Sequence, residues 1–431
     1  MERYNEYKDS GVQWLGEIPS HWEVKRTKYV WQETDCRSEY GSEQLLSVSQ
    51  YDGVREAQSD SRSESLKGYK VVKQDELVIN IMLAWLGGLG VSNYEGIVSP
   101  AYCVYKLHDA QNPRFLHYLY RTPMYLGEFA RHSTGIVPSR WRMYTDDFGE
   151  VLTLLPPIEE QNAMVAYLDE QTAKIDTAIA QQQKMIDLLN ERKQIIINNA
   201  VTKGLNPNVK MKDSGVEWIG EVPEHWEVNK FRNLFKTRTG ITFTKAQLEE
   251  DGEPVISYGQ IHSKDNWGAS VNPSLIRHIP ASLTKGKEGA LAYKGDFLFA
   301  DTSEDFEGCG NCVCIDTSEP IYAGYHTILA KRDNDQHEQY LAYLFASSKW
   351  RGQLRSMVNG VKVYSVTQSL LRAVIVLLPP KNEQIEISDY ITKRVVLIDT
   401  AIKRYAKRIK LLQERKQIII NEVVTGKVKV G

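Results

Sequence analysis

The 431-residue chain is 42% hydrophobic and 25% charged and carries a formal net charge of -2 at pH 7. Its length predicts two to four domains, and the near-neutral charge excludes any global electrostatic argument for nucleic-acid binding. The N-terminal residues lack the apolar core of a signal peptide, and no apolar run approaches the roughly 18 residues of a membrane span. Five cysteines, an odd number, indicate free thiols. We therefore expect a cytoplasmic protein without membrane association.

A tryptophan-rich motif near the start of the chain occurs twice. Residues 8–24 read KDSGVQWLGEIPSHWEV and residues 212–228 read KDSGVEWIGEVPEHWEV, so thirteen of seventeen positions are identical at an offset of 204. Tryptophans at a repeated, non-periodic spacing favour anchors that dock an irregular segment on another surface. Base stacking is the alternative, since aromatic side chains also stack on nucleic-acid bases.

Each copy of the motif is followed by a globular stretch in which short apolar runs alternate with turns. In residues 25–155 the β-type runs are 44–49, 69–72, 76–81, 96–105 and 151–155, with short helices at 114–121 and 125–131. In residues 229–378 they are 254–258, 296–300, 313–316, 321–329 and 374–378, with a helix at 338–345 that continues towards residue 354. These patterns predict two small α+β domains of one fold with diverged surfaces.

Matching landmarks favour a common fold despite the weak identity of the two stretches. Residues 74–78 correspond to residues 294–298, and the turn at 99–102 corresponds to 323–326. Ser133-Thr134-Gly135 likewise corresponds to Val358-Asn359-Gly360, and each precedes a Leu-Leu-Pro-Pro sequence.

The strongest periodic pattern is a long helix at residues 159–201. Steps of three and four from Val165 to Ile196 give ten positions, seven of them apolar, as in the seam of a helix that packs on another helix. The sequences EQ, IDTAI and ERKQIIIN all recur at an offset of 223, so the second globular stretch is 19 residues longer (223 minus 204). Two copies of one helix, each roughly 60 Å long, predict a self-paired coiled coil. We also expect Trp22 and Trp226 to clamp the helix ends.

No motif of catalysis or of cofactor binding can be placed in either half. There is no Gly-rich phosphate loop, no dinucleotide fingerprint, no AdoMet-type glycine loop and no Asn/Asp-Pro-Pro-Tyr/Phe tetrad. Asp296, Asp301, Glu304 and Asp305 are loose candidates for a nuclease centre. Solvated loop charges are the favoured interpretation, because the first half has no equivalent cluster.

Three cysteines lie close together in the second half. Cys309, Cys312 and Cys314, with His326 nearby in sequence, contain a Cys-x-x-Cys pair that could form half of a zinc site. A structural zinc site normally needs a second ligand pair at suitable spacing, and the remaining cysteines do not supply one. We therefore expect no metal, and a turn that leads into a buried strand with the thiols inside.

Loops rich in cationic, amide, hydroxyl and aromatic residues occur at matched positions of both globular stretches. Such loops can contact phosphates through Lys, Arg and backbone N–H groups and can read base edges through Arg, Asn or Gln. A single polar loop means little, and the recurrence in two diverged domains is what favours DNA contact. The candidate residues are Ser49, Gln50, Tyr51, Thr134, Gly135, Arg140, Trp141, Arg142, Tyr258, Gln260, His262, Thr302, Ser303, Asn359, Gly360, Lys362 and Tyr364.

The duplicated SGVxW[LI]GE[IV]PxHWEV motif, the LLPPxxEQ junction, the IDTAI core and the ERKQIII helix end resemble the specificity subunit of type I restriction–modification systems. The resemblance covers essentially the whole chain. It implies an α+β protein with two target-recognition domains, joined by two long helices that pair as an antiparallel coiled coil with internal pseudo-two-fold symmetry. It places the first recognition domain at 1–155, the first spacer helix at 156–204, the second domain at 205–378 and the second helix at 379–431.

The same resemblance implies the partners. Each recognition domain would read one half of a split target in double-stranded DNA, and the helices would dock two methyltransferase subunits. Those subunits would carry AdoMet and methylate adenine N6. A translocase–nuclease subunit that uses ATP and magnesium can join the complex. The chain itself would be non-catalytic and would hold no cofactor.

Two other classes of protein stay open at this point. A stand-alone DNA nuclease with a helical dimerisation hairpin would need a catalytic constellation in at least one globular half. A coiled-coil scaffold without DNA contact would need neither catalysis nor basic loops, and the basic and aromatic loops at matched positions argue against it.

Overall fold

A computed structural model of the chain describes residues 2–57, 65–137, 140–217, 219–358 and 363–430. It contains two compact units, one formed by Met1–Gln183 with Ala406–Gly431 and the other by Lys184–Tyr405. Each unit combines a globular α+β portion with part of each of two long helices. In the described ranges, no helix is long and apolar enough to cross a membrane.

The globular portion of the first unit is built from short strands and three short helices. Its strands are β1 (Tyr7–Asp9), β2 (Glu17–Pro19), β3 (Glu23–Arg26), β4 (Trp31–Thr34), β5 (Leu46–Ser49), β6 (Gly53–Glu56), β7 (Lys70–Val72), β8 (Leu77–Asn80), β9 (Leu89–Val91), β10 (Gly96–Val98), β11 (Tyr102–Leu107) and β12 (Leu152–Leu155). Its short helices are α1 (Pro113–Tyr120), α2 (Pro123–His132) and α3 (Thr145–Glu150), and the long helix α4 (Ile158–Lys203) follows.

An antiparallel sheet of order β4-β11-β8-β9 forms the centre of the first unit. Alternate residues of β8 face opposite sides, so Leu77 and Ile79 join the core that contains Phe115 and Phe129, while Val78 joins a smaller second core. The helix starts are specified locally. Proline stands at the first position of both α1 and α2, and the side chain of Asn112 caps α1.

The second unit has more strands. They are β13 (Met211–Asp213), β14 (Glu221–Pro223), β15 (Glu227–Lys230), β16 (Phe235–Thr239), β17 (Glu253–Ile256), β18 (Arg277–Ile279), β19 (Leu291–Ala292), β20 (Phe297–Ala300), β21 (Thr302–Ser303), β22 (Cys312–Cys314), β23 (Ile321–Ala323), β24 (Thr327–Arg332), β25 (Tyr364–Ser365) and β26 (Ile375–Leu378). The helices are α5 (Tyr258–Ile261), α6 (Glu338–Ala346), α7 (Ser348–Met357), α8 (Gln368–Ala373) and the long α9 (Lys381–Val424).

The two units share one strand order. The sheet β16-β24-β20-β22 repeats β4-β11-β8-β9, and the pair β15–β26 repeats β3–β12. The second unit differs by a further four-stranded sheet of order β18-β17-β23-β19, which contains a parallel pair. The prediction of two α+β portions with one fold is therefore confirmed.

Three predicted elements were too long. The run at 321–329 is divided into β23 and β24, because a side chain at Gly324 would collide with Ser257 and His326 adopts a left-handed φ of 54°. The run at 96–105 is divided in the same way into β10 and β11. The helix expected to continue from 345 towards 354 ends at Ala346, and Ser347 caps α7 by accepting from Trp350 N.

The landmarks at 74–78 and 294–298 have one physical cause. Asp75 and Gly295 both have positive φ, 66° and 89°, and each lies two residues before a central strand, β8 or β20. The carboxylate of the following residue accepts a backbone N–H across the turn, in Glu76 from Lys73 and in Asp296 from Tyr293. Local hydrogen bonding of this kind stabilises a left-handed turn even where the residue is not glycine.

Within each unit the long helices run antiparallel, and the predicted seam faces the partner helix. From Val165 to Ile196 every seam position is buried or half-buried. The repeated IDTAI and ERKQIIIN sequences meet each other. In the second unit Lys193 Nζ lies 2.8 Å from Asp399 Oδ1, and in the first unit Lys416 Nζ lies 2.7 Å from Asp176 Oδ2. Partly exposed pairs of this kind are each worth roughly 0.2–1 kcal/mol, and they contribute to register.

In the first unit Trp22 joins the start of α4 to the end of α9. Its indole is completely buried and donates from Nε1 to Glu160 Oε2 at 3.2 Å. The same carboxylate accepts from the Tyr4 hydroxyl at 2.9 Å and lies 2.5 Å from His21 Nε2. Gly426, just beyond α9, lies so close that a Cβ there would come within 2.9 Å of Trp22 Cη2.

The second unit repeats this arrangement. Trp226 is 1% exposed and donates to Glu383 Oε1 at 3.2 Å, while His225 Nε2 lies 2.8 Å from Glu383 Oε2. Gly204 follows α4, and a Cβ there would lie 3.3 Å from Trp226 Cζ2. The prediction that the two tryptophans clamp the helix ends is confirmed, and a carboxylate at each helix N-terminus also suits the helix dipole.

The clamp predicts a specific loss of stability. Trp226→Phe keeps a ring in the core but removes the donor to Glu383, so we expect the free energy of unfolding to fall by about 1–2 kcal/mol. Trp226→Ala should cost about 3–5 kcal/mol. Urea unfolding followed by circular dichroism measures both. The control is Trp267→Phe, because Trp267 is 60% exposed; equal losses from the two Phe variants would contradict the clamp.

A second prediction concerns acid. Burial alone would raise the pKa of Glu160, but hydrogen bonds from His21, Tyr4 and Trp22 outweigh it and hold that pKa below the ordinary value of 4.5. A carboxyl with a depressed folded-state pKa contributes stability above pH 4.5 that is lost as the pH falls through the folded-state pKa. Glu160→Gln should therefore be less stable at neutral pH, with a smaller loss of stability on acidification below 4.5. Urea midpoints against pH test this, with the exposed neighbour Glu159→Gln as control. Parallel curves for wild type and Glu160→Gln would refute it.

Candidate nucleic-acid interface

In the first unit, the turn after β5 presents Ser49, Gln50 and Tyr51. The Ser49 hydroxyl accepts from the backbone N–H of Tyr51 at 3.0 Å and of Asp52 at 3.4 Å, which folds the chain back into β6. Tyr51 is 80% exposed at the apex of this turn. The phenol ring is thus free to stack on a base or to contact a sugar.

Arg121, just after α1, stabilises the turn that contains Gln50 and Tyr51. Its guanidinium donates to four backbone carbonyls, those of Gly87 and Leu89 from Nη1 and those of Gln50 and Tyr51 from Nη2, at 2.6–3.1 Å. Burial lowers the pKa of Arg121. The sequence analysis missed this residue, because nothing in the chain near Arg121 indicates that residues 50 and 87 lie beside it.

The second loop of the first unit is a narrow excursion after α2. Thr134 and Arg142 form its base, with reciprocal backbone N–H···O hydrogen bonds of 2.9 Å. Trp141 packs edge-on against Trp85, with ring centroids 5.2 Å apart, while Arg140 is exposed. The segment that carries Trp85 also carries Gly87, which Arg121 contacts. The turn at Gln50 and the excursion at Trp141 are therefore both connected to the segment that contains Trp85 and Gly87.

In the second unit, α5 carries Tyr258 and Gln260, and His262 follows directly at its C-terminal end. Gln260 Oε1 accepts from the Ser257 backbone N–H at 3.1 Å and caps the helix. His262 Nε2 lies 2.8 Å from the Thr302 carbonyl, and its Nδ1 lies 3.0 Å from Asn311 Nδ2. These partners require the tautomer with hydrogen on Nε2, so His262 acts within the unit as a link between α5 and the loop at Thr302.

Thr302, Ser303 and Tyr364 also meet. The strands β21 and β25 pair Ser303 with Tyr364, and Tyr364 packs edge-on against Phe306 at 5.6 Å. Ser303 is 3% exposed and donates to the Asp305 carbonyl, so its hydroxyl supports the loop. Asn359, Gly360 and Lys362 lie outside the described residues.

Two further basic residues line the same region. Tyr258, His262 and Ser303 border a cavity of about 710 Å³ that also contacts Arg351 and Arg355 of α7. Burial, with the neighbouring Arg355, lowers the pKa of Arg351 to about 10. The two arginines stand four residues apart on one helix face. That spacing is the sequence signal that could have identified them.

The cysteines and carboxylates of the second unit belong to its core and loops. Cys312 and Cys314 lie inside β22, as predicted, and burial raises the pKa of the Cys312 thiol to about 12. Asp296 is 5% exposed and accepts from two backbone N–H groups, so its assignment as a solvated loop charge was wrong. Across the described residues, no group of three or more His, Cys, Asp or Glu side chains is placed to hold a metal ion.

Known proteins share this architecture. One solved structure, from a study of complex assembly and conformational transition of the type I R-M system, superposes with a TM-score of 0.67 at 15% identity. The match covers 95% of this chain and 99% of that chain. At this identity the similarity establishes the fold, an α+β protein with two long helices.

Sequence comparison shows which proteins the chain is similar to. Residues 223–411 match the family model of the type I restriction modification DNA specificity domain. The chain is 24% identical over 287 residues to the MjaVIII specificity subunit of Methanocaldococcus jannaschii, covering 66% of this chain and 63% of that protein. It is 23% identical over 281 residues to the EcoKI specificity subunit of Escherichia coli K12, covering 63% and 56%.

The chain is therefore similar to the specificity subunits of type I restriction–modification systems. The matched stretches span about three fifths of the length of these two curated relatives.

Proposed function

We propose that this chain is the DNA sequence-recognition subunit of a type I restriction–modification complex, in which each globular portion reads one half of a split target. The match of residues 223–411 to the type I restriction modification DNA specificity domain, together with the similarity to curated specificity subunits, is the observation that carries this proposal. The functional modules would be residues 1–155, 156–204, 205–378 and 379–431. The chain would select the DNA site without catalysing a reaction. It would act in the cytoplasm, where it has access to DNA.

The contrast between frame and loops supports two different half-sites. The strand order, the Trp–Glu clamp and the Asp–Lys pairs are the same in both units. The loops differ: the first unit presents a tyrosine-tipped turn and an arginine-bearing excursion, and the second presents α5, β21 and a cavity with two arginines. A common frame with different loops is suited to reading two different sequences.

The long helices carry a surface that suits partner subunits. In the second unit Met185, Leu188 and Ile195 of α4 are 39–50% exposed, and Leu397 of α9 is 66% exposed. In the first unit Leu411 and Ile418 of α9 are 53% and 54% exposed. Because exposed apolar residues on one helix face mark interaction sites, we propose that each unit docks one methyltransferase subunit. Those subunits would supply AdoMet, and a nuclease subunit that joins would supply ATP-dependent, magnesium-dependent chemistry.

The first test is a map of N6-methyladenine in cells that express this chain with a methyltransferase subunit of its system. We expect one split motif, methylated on both strands and lost when this chain is removed. Exchange of residues 25–155 for those of another family member should change one half-site and leave the other unchanged. Methylation that does not depend on this chain, despite a stable complex, would instead favour the scaffold interpretation.

The second test concerns phosphate contact by Arg140. Arg140→Ala in the complex should weaken binding to the mapped duplex and reduce the slope of log Kd against log salt by about 1, because one fewer counterion is released. The control is Arg26→Ala, since Arg26 is exposed but paired with Glu150. Unchanged affinity and slope in Arg140→Ala would exclude this contact.

A further inference from the structure

The N-terminal side of the excursion between Thr134 and Arg142 carries an unusual side chain. Ile136 is 95% exposed, more than any other large hydrophobic residue in the described part of the chain, and the adjacent Val137 is 43% exposed. An isolated exposed hydrophobic residue on a surface is common and needs no explanation. Here the residue lies in a loop whose two sides are joined by backbone hydrogen bonds.

Backbone hydrogen bonds and one ring contact hold the loop. Thr134 and Arg142 exchange two backbone hydrogen bonds of 2.9 Å, and Arg140 N donates to Val137 O at 2.8 Å. Trp141 rests against Trp85. Gly135 allows the two sides of the loop to approach, because a Cβ there would lie 2.6 Å from Arg140 O. The isoleucine is therefore presented by a supported loop.

The sequence repeats the arrangement. Helices α2 and α7 end at equivalent positions, and Gly135-Ile136 after α2 corresponds to Gly360-Val361 after α7, both at an offset of 225. A β-branched apolar residue thus follows a glycine in both halves, although the loops otherwise differ. Residues 360 and 361 lie outside the described ranges, so this correspondence is one of sequence.

The loop that contains Ile136 also contains two arginines. Arg140 is exposed, and Arg142 is half-buried with Nη1 donating to Trp141 O. The carboxylate of Glu128, at the end of the preceding helix, is already paired with Arg131 at 2.6 Å and His132 at 3.1 Å. An exposed apolar side chain in the same loop as two arginines matches the chemistry of duplex DNA, which offers phosphates beside an apolar base stack.

We propose that Ile136 is a wedge that inserts between two adjacent base pairs of the half-site read by the first unit. The arginines of the same loop contact the flanking phosphates. This inference rests on the proposed function, and it adds local unstacking of DNA to the reading of base edges. Flexible base steps would be favoured at the insertion point, so the wedge contributes specificity through DNA deformability.

The experiment uses the intact complex with its methyltransferase subunits and the duplex defined by the methylation map. 2-Aminopurine replaces one base at a time, because its fluorescence rises when stacking is lost. We expect a rise at one step within the first half-site, separate from the rise at the methylated adenine, which such enzymes extrude from the helix. Ile136→Ser should abolish the first signal and keep the second.

Affinity gives an independent readout. Ile136→Ser should raise Kd for the target about tenfold to a hundredfold, as expected when a buried isoleucine contact is lost. Ile136→Met, which keeps a bulky apolar side chain, should retain both the affinity and the fluorescence signal. Leu205→Ser, at another exposed apolar residue, is the matched control and should behave like wild type.

Each alternative outcome is distinguishable. The wedge is overturned if Ile136→Ser binds with wild-type affinity and wild-type fluorescence. It is also overturned if the variant releases a methyltransferase subunit in gel filtration, which would assign Ile136 to a protein interface. If the wild-type complex shows no site-specific binding at all, the proposed function fails, and the wedge with it.

Discussion

The buried contact between a tryptophan indole and a glutamate at a helix N-terminus is the constraint on which each unit depends. Trp22 and Trp226 are both shielded from water, and each donates to the first-turn carboxylate of one long helix while packing on the glycine that follows the other. In the first unit, Trp22 thus fixes the start of α4 and the end of α9. In the second unit, Trp226 fixes the start of α9 and the end of α4. The seam and the Asp–Lys pairs between the helices are arranged around those fixed ends.

That constraint explains why the sequence was most informative about the frame. The His-Trp, Glu-Gln, IDTAI and ERKQIIIN repeats each encode a buried or paired contact whose partner is itself repeated, so the pattern could be recognised twice. Gln161 and Gln384 are examples, and both are completely buried. Each side-chain amide donates to the carbonyl of the first proline in the preceding Pro-Pro pair. It also donates to a glutamine side chain just before α1 or α6. A buried amide with several partners tolerates little change.

The loops could be located from the sequence, but the role of each side chain within them could not. Ser303 and Gln260 were expected at the surface as DNA contacts, yet Ser303 supports its own loop and Gln260 caps α5. Arg121 was not identified, because its partners are backbone carbonyls distant in sequence, and for Arg351 only the four-residue spacing from Arg355 was available as a signal. Whether a polar side chain faces solvent or its own backbone depends on tertiary neighbours, which composition and spacing do not contain.

The candidate loops nevertheless share a physical design. Each is held by a side chain from outside the loop: the turn at Gln50 by Arg121, Trp141 by Trp85, and the Thr302 loop by His262. A loop supported in this way loses less conformational entropy on binding than an unsupported one, so its exposed groups contribute more of their contact energy to recognition. The supports differ between the units while the frame does not. A change of apex residue can therefore alter what is read without disturbing the clamp that sets the helices.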